Sequence, residues 1–132
     1  MREILFRGQY DKDMWIEGNP IVTNDGTFIY FGNGHAYWNN AEQCMQVENL
    51  LKVEPETVGQ FTGLLDMNGK KIFEGDIFSL GDPNILYIVQ WHDTGFSGKQ
   101  IRSTSYVGLS YWRDRIEIVG NIHDNPELLE VK

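Results

Sequence analysis

Short runs of alternating apolar and polar residues, each closed by a turn-forming cluster, follow one another along most of the chain. Residues 4–7 and 14–17 lie on either side of a polar Asp-Lys-Asp turn, and residues 21–23 and 27–31 flank Asn24-Asp25-Gly26. Alternation places successive side chains on opposite faces of a strand, and Asn, Asp and Gly favour tight turns. The pattern predicts two β-hairpins in the first third of the chain.

The second half of the chain continues this pattern. Residues 85–91 are apolar on nearly both faces, which is typical of a central strand. Residues 106–112 and 116–122 alternate with period two and are predicted to be strands. Near the end, Asn125 is suited to an N-cap and Pro126 to the first helical position, so a short C-terminal helix is expected.

The segment 41–50 leaves helix and strand open. Ala41, Cys44 and Met45 have helical spacing, which favours one helical turn near residues 40–46. Residues 50–53 are typical of a strand that ends before Pro55. Taken together, the patterns predict a mainly β chain, a small barrel or sandwich, formed as one domain over residues 1–132.

The stretch TVGQFTGLLDMNGKKIFEGDIF, residues 57–78, is rich in glycine. A calcium loop opening at Asp66 would place Lys70 at a ligand position, and the glycines lie too far apart for a phosphate loop. We interpret the stretch as strands joined by a type I′ turn at Asn68-Gly69, with φ positive at both residues. Gln60 and Thr62 are polar between apolar neighbours without an evident structural reason, so they are candidate contacts to a partner.

Three blocks of sequence resemble the YopX family, which is carried by bacteriophages and prophages. The blocks are an N-terminal FRG followed by a polar turn and Trp15, the stretch ETVGQFTGLLDMNGKKIFEGDIF, and the terminal IVGNIHDNPELL. The resemblance implies a small β-rich protein with an SH3-like barrel element that assembles as a homo-oligomer. It implies no catalytic residue and no cofactor, because the family has no established activity.

The charge and the single cysteine bear on partners and location. The chain of 132 residues has a formal net charge of −8, which opposes general attraction to nucleic acid or anionic lipid. Charged residues interrupt the N-terminus where a secretory signal would be apolar, and no apolar run is long enough for a membrane span. Cys44 is the only cysteine and needs no oxidising compartment, so we expect a cytoplasmic protein.

One segment departs from the acidic average. Residues 91–115 contain four bases against two acids, together with several aromatic residues. Cationic and aromatic side chains on a β-barrel are the means by which such folds bind single-stranded nucleic acid. The candidate contacts for this alternative are Lys99, Arg102, Trp112, Arg113 and Arg115.

A metal-dependent or carboxylate-dependent hydrolase is the third and least favoured hypothesis. His92-Asp93 and His123-Asp124 are similar pairs, His35 is the third histidine, and Glu74 and Asp76 could share one strand face. Whether the two His-Asp pairs converge depends on the fold, and Cys44 has no nucleophile motif around it. The sequence therefore favours a non-enzymatic phage or prophage accessory protein that self-associates and contacts host or phage proteins.

Overall fold

The computed structural model describes residues 4–32, 36–47 and 49–130. These residues divide into two compact units, the first formed by Leu5–Val58 and the second by Ile4 together with the chain from Gly59 onward. Strands dominate both units, so the prediction of a mainly β chain is confirmed. The single domain over residues 1–132 and the SH3-like element stay predictions. No helix in the described stretches has the length and apolar composition to cross a membrane.

The first unit is built from hairpins. Strands β1 (Phe6–Asp11) and β2 (Met14–Thr23) pair across the polar turn, and β2 pairs with β3 (Gly26–Phe31). Both hairpins predicted from the alternation are thus confirmed. The second turn is closed by the Thr23 hydroxyl, which accepts the amide of Asp25 at 3.1 Å and donates to the carbonyl of Gly26 at 3.0 Å.

A fourth strand, β6 (Leu50–Val53), pairs with β3 and completes the core of this unit. Ile29 and Val53 are buried there. A 3-10 turn at Pro55–Thr57 follows, and the Thr57 hydroxyl accepts the amide of Gln9 at 2.9 Å. The strand predicted over residues 50–53 is confirmed.

The remaining strands of the first unit, β4 (Ala36–Asn39) and β5 (Cys44–Val47), form a separate hairpin that we call the hairpin arm. The helical turn expected near residues 40–46 is therefore wrong. Residues 40–43 form the hairpin turn, in which the Asn39 carboxamide accepts the amide of Glu42 and Gln43 has a φ of 55°. The spacing of Ala41, Cys44 and Met45 marks a turn followed by a strand.

The second unit contains the hairpin of β7 (Gly59–Leu65) and β8 (Lys71–Phe73) and a five-stranded antiparallel sheet. The order in the sheet is β12 (Tyr106–Gly108), β11 (Gly95–Gln100), β10 (Leu86–His92), β9 (Asp76–Ser79) and β13 (Glu117–Asn121). This sheet is open, with β12 and β13 at its edges. The strand β10 is central, as its doubly apolar pattern predicts.

The core of the second unit is a cluster of buried side chains around Phe78, which stacks on Tyr87 with ring centroids 5.2 Å apart. Ile72, Val89, Leu109 and Ile116 complete the cluster. Burial of these side chains is the main favourable contribution to folding of the unit.

The chain turns away from the sheet earlier than the alternation predicts. The strand expected over residues 106–112 ends at Gly108, and a single helical turn, α1 (Leu109–Trp112), replaces its second half. The 3-10 turn Arg113–Arg115 follows. Leu109 is buried while Tyr111 is strongly exposed, so these two residues do not share the buried face that strict alternation required.

The C-terminal helix is present as a 3-10 segment, Pro126–Glu130. Its capping differs from the expectation for Asn125. The Asn125 carboxamide accepts the amide of Asn121 at 3.1 Å, and its backbone carbonyl accepts the amide of Leu128 at 3.0 Å. The side chain therefore ties the segment to β13.

The turn at Asn68-Gly69 also differs from the prediction. Gly69 has a φ of 83°, but Asn68 is not among the residues with positive φ, so the turn is not type I′. The Asp66 carbonyl accepts the Gly69 amide at 3.0 Å, and the Asp66 carboxylate accepts the amides of Asn68 and Lys70. The Asp66 carboxylate fixes the backbone of the turn in a shape in which Gly69 takes the positive φ.

Candidate functional site

The second unit contains a cleft of about 630 Å³ whose walls carry three aromatic rings. We call it the aromatic cleft. Trp91 and Tyr111 lie on its rim, where their side chains are 54% and 83% exposed, respectively. Phe96 on β11 is half-buried beside Trp91. The other lining residues are Thr62, Gly63, Leu64, Thr94, Gly95, Gly108, Leu109 and Ser110.

The hairpin of β10 and β11 places two of these rings. Trp91 lies opposite Phe96, so the two side chains share a face of the sheet. Their rings meet edge to face with centroids 5.0 Å apart. A two-residue connection at Asp93 and Thr94, with a φ of 57° at Asp93, closes the hairpin beside them. The cleft wall is therefore fixed by strand register.

The helical turn α1 places the third ring. Leu109 is buried in the core cluster, which anchors α1 and leaves Tyr111 pointing outward. Tyr111 meets Trp112 edge to face at 5.0 Å between centroids. The break in alternation at Gly108 is thus what brings Tyr111 to the cleft.

The third wall is an irregularity in β7. Phe61 pairs with Phe73 and Leu65 with Lys71, so the residues between bulge outward, with a φ of 90° at Gly63. The buried Thr62 hydroxyl donates to the carbonyl of Ile72 at 2.8 Å and accepts the amide of Leu64 at 3.2 Å. Thr62 therefore has a structural role that the sequence did not suggest.

The partner-contact prediction for Gln60 and Thr62 stays a prediction. Thr62 lines the aromatic cleft, and Gln60 is not among its lining residues. The carbonyl of Gln60 accepts the amide of Glu74 at 2.9 Å within the hairpin.

The lining of the cleft carries no formal charge. None of its residues is Asp, Glu, Lys, Arg, His or Cys, in a chain where 23% of residues are charged. A Cβ built on Gly95 or Gly108 meets no atom within 4 Å, so both glycines face open space. The cleft offers ring faces, hydroxyls and backbone to a ligand.

The candidate nucleic-acid residues are only partly brought together. Trp112 and Arg115 line a shallow cleft of about 410 Å³ with Tyr111 and Asp114, and Arg113 lies between Trp112 and Asp114 in the chain. Lys99 lies on the sheet face opposite to Trp91 and Phe96, as the strand register requires. Its ammonium donates to the carbonyl of Ser103 at 2.7 Å, in the connection that also holds Arg102.

The His-Asp pairs lie in separate local arrangements. His92 stacks on Tyr106 with centroids 3.8 Å apart, and its Nε2 is 3.5 Å from the Asp93 carboxylate. The Asn121 carboxamide accepts the amides of His123 and Asp124 and shapes the turn that carries them. Within residues 4–32, 36–47 and 49–130, no three His, Cys, Asp or Glu residues form a group that could hold a metal ion.

The other candidate carboxylates have structural positions. Asp76 is buried, and its Oδ2 accepts the amide of Phe73 at 2.8 Å, while Glu74 lies in the turn between β8 and β9. His35 lies outside the described residues. The cleft itself was missed at the sequence level, although Trp91, Phe96 and Tyr111 fall in the aromatic segment 91–115. No sequence signal links that segment to the bulge in β7.

Fold and site together define a mainly β protein with an uncharged aromatic cleft in its second unit. The chain belongs to the YopX protein family, whose model matches residues 6–130, so the resemblance seen in the sequence is confirmed. The crystal structure of protein EF1440 from Enterococcus faecalis is similar, with a TM-score of 0.60 and 22% sequence identity over 98% of this chain and 99% of that chain. At this identity the likeness shows the fold alone. No curated protein sequence matches the chain significantly.

Proposed function

We propose that this chain is a non-enzymatic accessory protein of phage or prophage origin that self-associates and binds another protein through the aromatic cleft. The observation that carries the binding role is the exposure of Trp91 and Tyr111 around an uncharged lining. The phage origin rests on the family, and the cytoplasm of a bacterial host as the place of action rests on that origin and on the lone Cys44.

The composition of the cleft fits the centre of a protein interface. Interface cores are enriched in Tyr, Trp and Phe and depleted of charge, and a few such anchors carry most of the binding free energy. Trp91 and Phe96 hold each other in place across the hairpin. Little side-chain entropy is then lost when a partner covers them.

The same lining gives little support to catalysis. General acid–base and nucleophilic chemistry require titratable groups beside the reacting atoms. Tyr111 is the only lining residue with an ionisable side chain, and Ser110 has no His, Asp or Glu beside it among the lining residues. The ring faces point to recognition.

The test is capture of host and phage proteins on immobilised chain, quantified for wild type, Trp91→Ala and Tyr111→Ala. Each variant removes one exposed aromatic anchor from the rim of the cleft. The control is Val22→Ala, because Val22 is an apolar residue that is 80% exposed in the first unit and does not line the cleft. We expect one or more captured proteins to be lost with both cleft variants and retained with the control. A captured set that does not change with the cleft variants would refute the binding role.

Single-stranded nucleic acid is the second candidate partner, favoured by the adjacent Trp112 and Arg115. Binding through them should weaken steeply with salt. A titration at about 50 mM salt compares wild type with Arg113→Ala/Arg115→Ala. Binding that the double variant abolishes would support this candidate, and no binding by wild type would end it.

A further inference from the structure

The hairpin arm is a two-stranded sheet in which β4 and β5 pair only with each other among the described strands. An isolated two-stranded hairpin is marginally stable in water and gains stability when one of its faces is covered. The stability of the arm therefore depends on what its two faces contact.

The two faces of the arm differ in chemistry. Tyr37 lies opposite Gln46, and the Tyr37 hydroxyl donates to Oε1 of Gln46 at 2.8 Å. On the other face Trp38 lies opposite Met45, and these side chains are 52% and 56% exposed. The polar face is hydrogen-bonded within the arm, whereas an indole and a thioether face solvent side by side.

We propose that a second copy of this chain packs on the Trp38–Met45 face through a two-fold contact. A two-fold axis through this face lays the Met45 thioether of each copy on the Trp38 indole of the other. Such sulfur–aromatic contacts are favourable. A patch that carries both a thioether and an indole is complementary to a second copy of itself across a two-fold axis.

Charge also favours a second copy at this position. Residues 36–47 contain a single charged residue, Glu42, although the whole chain has a net charge of −8. Two copies that approach through the arm therefore bring few like charges together, whereas contact through most other parts of the surface would bring many acidic residues together. The inference rests on the self-association part of the proposed function and is independent of the aromatic cleft.

The test is sedimentation equilibrium of wild type, Met45→Lys and Trp38→Ala up to roughly 100 µM, well above a micromolar dissociation constant. Val22→Lys is the control, because Val22 is an apolar residue of the same unit that is 80% exposed on β2. We expect wild type and Val22→Lys to dimerise. In both arm variants the dissociation constant of the dimer should rise by roughly tenfold or more, as it does when an interface anchor is lost.

A spin label gives a second readout that does not depend on destabilising the contact. A label on the native Cys44, which neighbours Met45 in β5 and leaves Trp38 and Met45 in place, should show intermolecular dipolar broadening, and a label on Val22→Cys in a Cys44→Ser background should not. A dimer unaffected by both arm variants and without broadening would overturn the arm as the interface while self-association stands. A wild type that stays monomeric throughout would overturn both and leave the face to a different partner, and neither result would bear on the cleft.

Discussion

At the scale of residues, polar side chains in the glycine-rich stretch bind the backbone of their own unit. Asp66 is buried, and its carboxylate accepts the amides of Asn68 and Lys70 at the turn and of Ile118 in β13 at 3.1 Å. The residue that suggested a calcium ligand therefore has its oxygens committed to backbone N–H groups. One carboxylate joins the β7–β8 hairpin to the edge of the sheet.

Replacement of this carboxylate should be costly. Asp66→Ala leaves three amides without their acceptor, and we expect the free energy of unfolding to fall by roughly 2–4 kcal/mol. The control is Asp82→Ala, which removes a single acceptor, for the amide of Asn84, at an exposed turn. Urea unfolding measures both, and similar losses for the two variants would contradict the structural role given to Asp66.

A second residue prediction concerns backbone conformation alone. Gly69 has a φ of 83°, and a Cβ there meets nothing within 4 Å, so Gly69→Val introduces strain without a clash. We expect a loss of roughly 1–3 kcal/mol. Gly95→Val is matched in open space but lies in a strand without positive φ, and it should cost less than Gly69→Val in the same urea experiment. Equal costs would show that φ at Gly69 does not matter.

At the scale of elements, alternation predicted the hairpins because each of their turns is marked by local chemistry, as at Asn24-Asp25-Gly26. It failed at residues 109–112, where burial of Leu109 against a cluster distant in sequence determines the turn α1. It failed near residues 40–46 because helical and hairpin-turn spacings coincide over so few positions. The aromatic cleft is formed by the β10–β11 hairpin, the turn α1 and the bulge in β7 together. Only the aromatic segment 91–115 was recognisable in the sequence, because α1 depends on packing distant in sequence and no sequence pattern marks the bulge.

The Phe78 side chain of β9, which reaches Gly98 of β11 across β10, provides a test of this packing. A Cβ on Gly98 would lie 2.4 Å from Cζ of Phe78, so Gly98→Ala should destabilise the unit by roughly 1–3 kcal/mol through overpacking. Phe78→Leu shortens the side chain that Gly98→Ala strikes. We expect the double variant to be more stable than the sum of the single losses predicts, by at least about 0.5 kcal/mol. Strict additivity in a double-mutant cycle would mean that the two residues do not compete for space.

At the scale of the whole molecule, the net charge of −8 acts on every association at once. Two copies repel each other over most of their surface, whereas a nucleic acid would be attracted to the few bases around Arg115. Salt screens both the repulsion between copies and the attraction of nucleic acid. A change of ionic strength therefore distinguishes self-association from nucleic-acid binding without any variant.

Self-association through the nearly uncharged arm should therefore strengthen as salt is raised from about 20 mM to 150 mM, because screening reduces repulsion and leaves apolar burial intact. Nucleic-acid binding should weaken over the same range, because the release of counterions from the nucleic acid gains less free energy as the bulk salt concentration rises. Sedimentation at the two salt concentrations measures the first slope, and a binding titration measures the second. The Val22→Lys control should dimerise more readily than wild type at low salt, since it lowers the net negative charge, and should approach wild type at 150 mM. A dimer that dissociates as salt rises would place ion pairs at its contact and exclude the Trp38–Met45 face as its main interface.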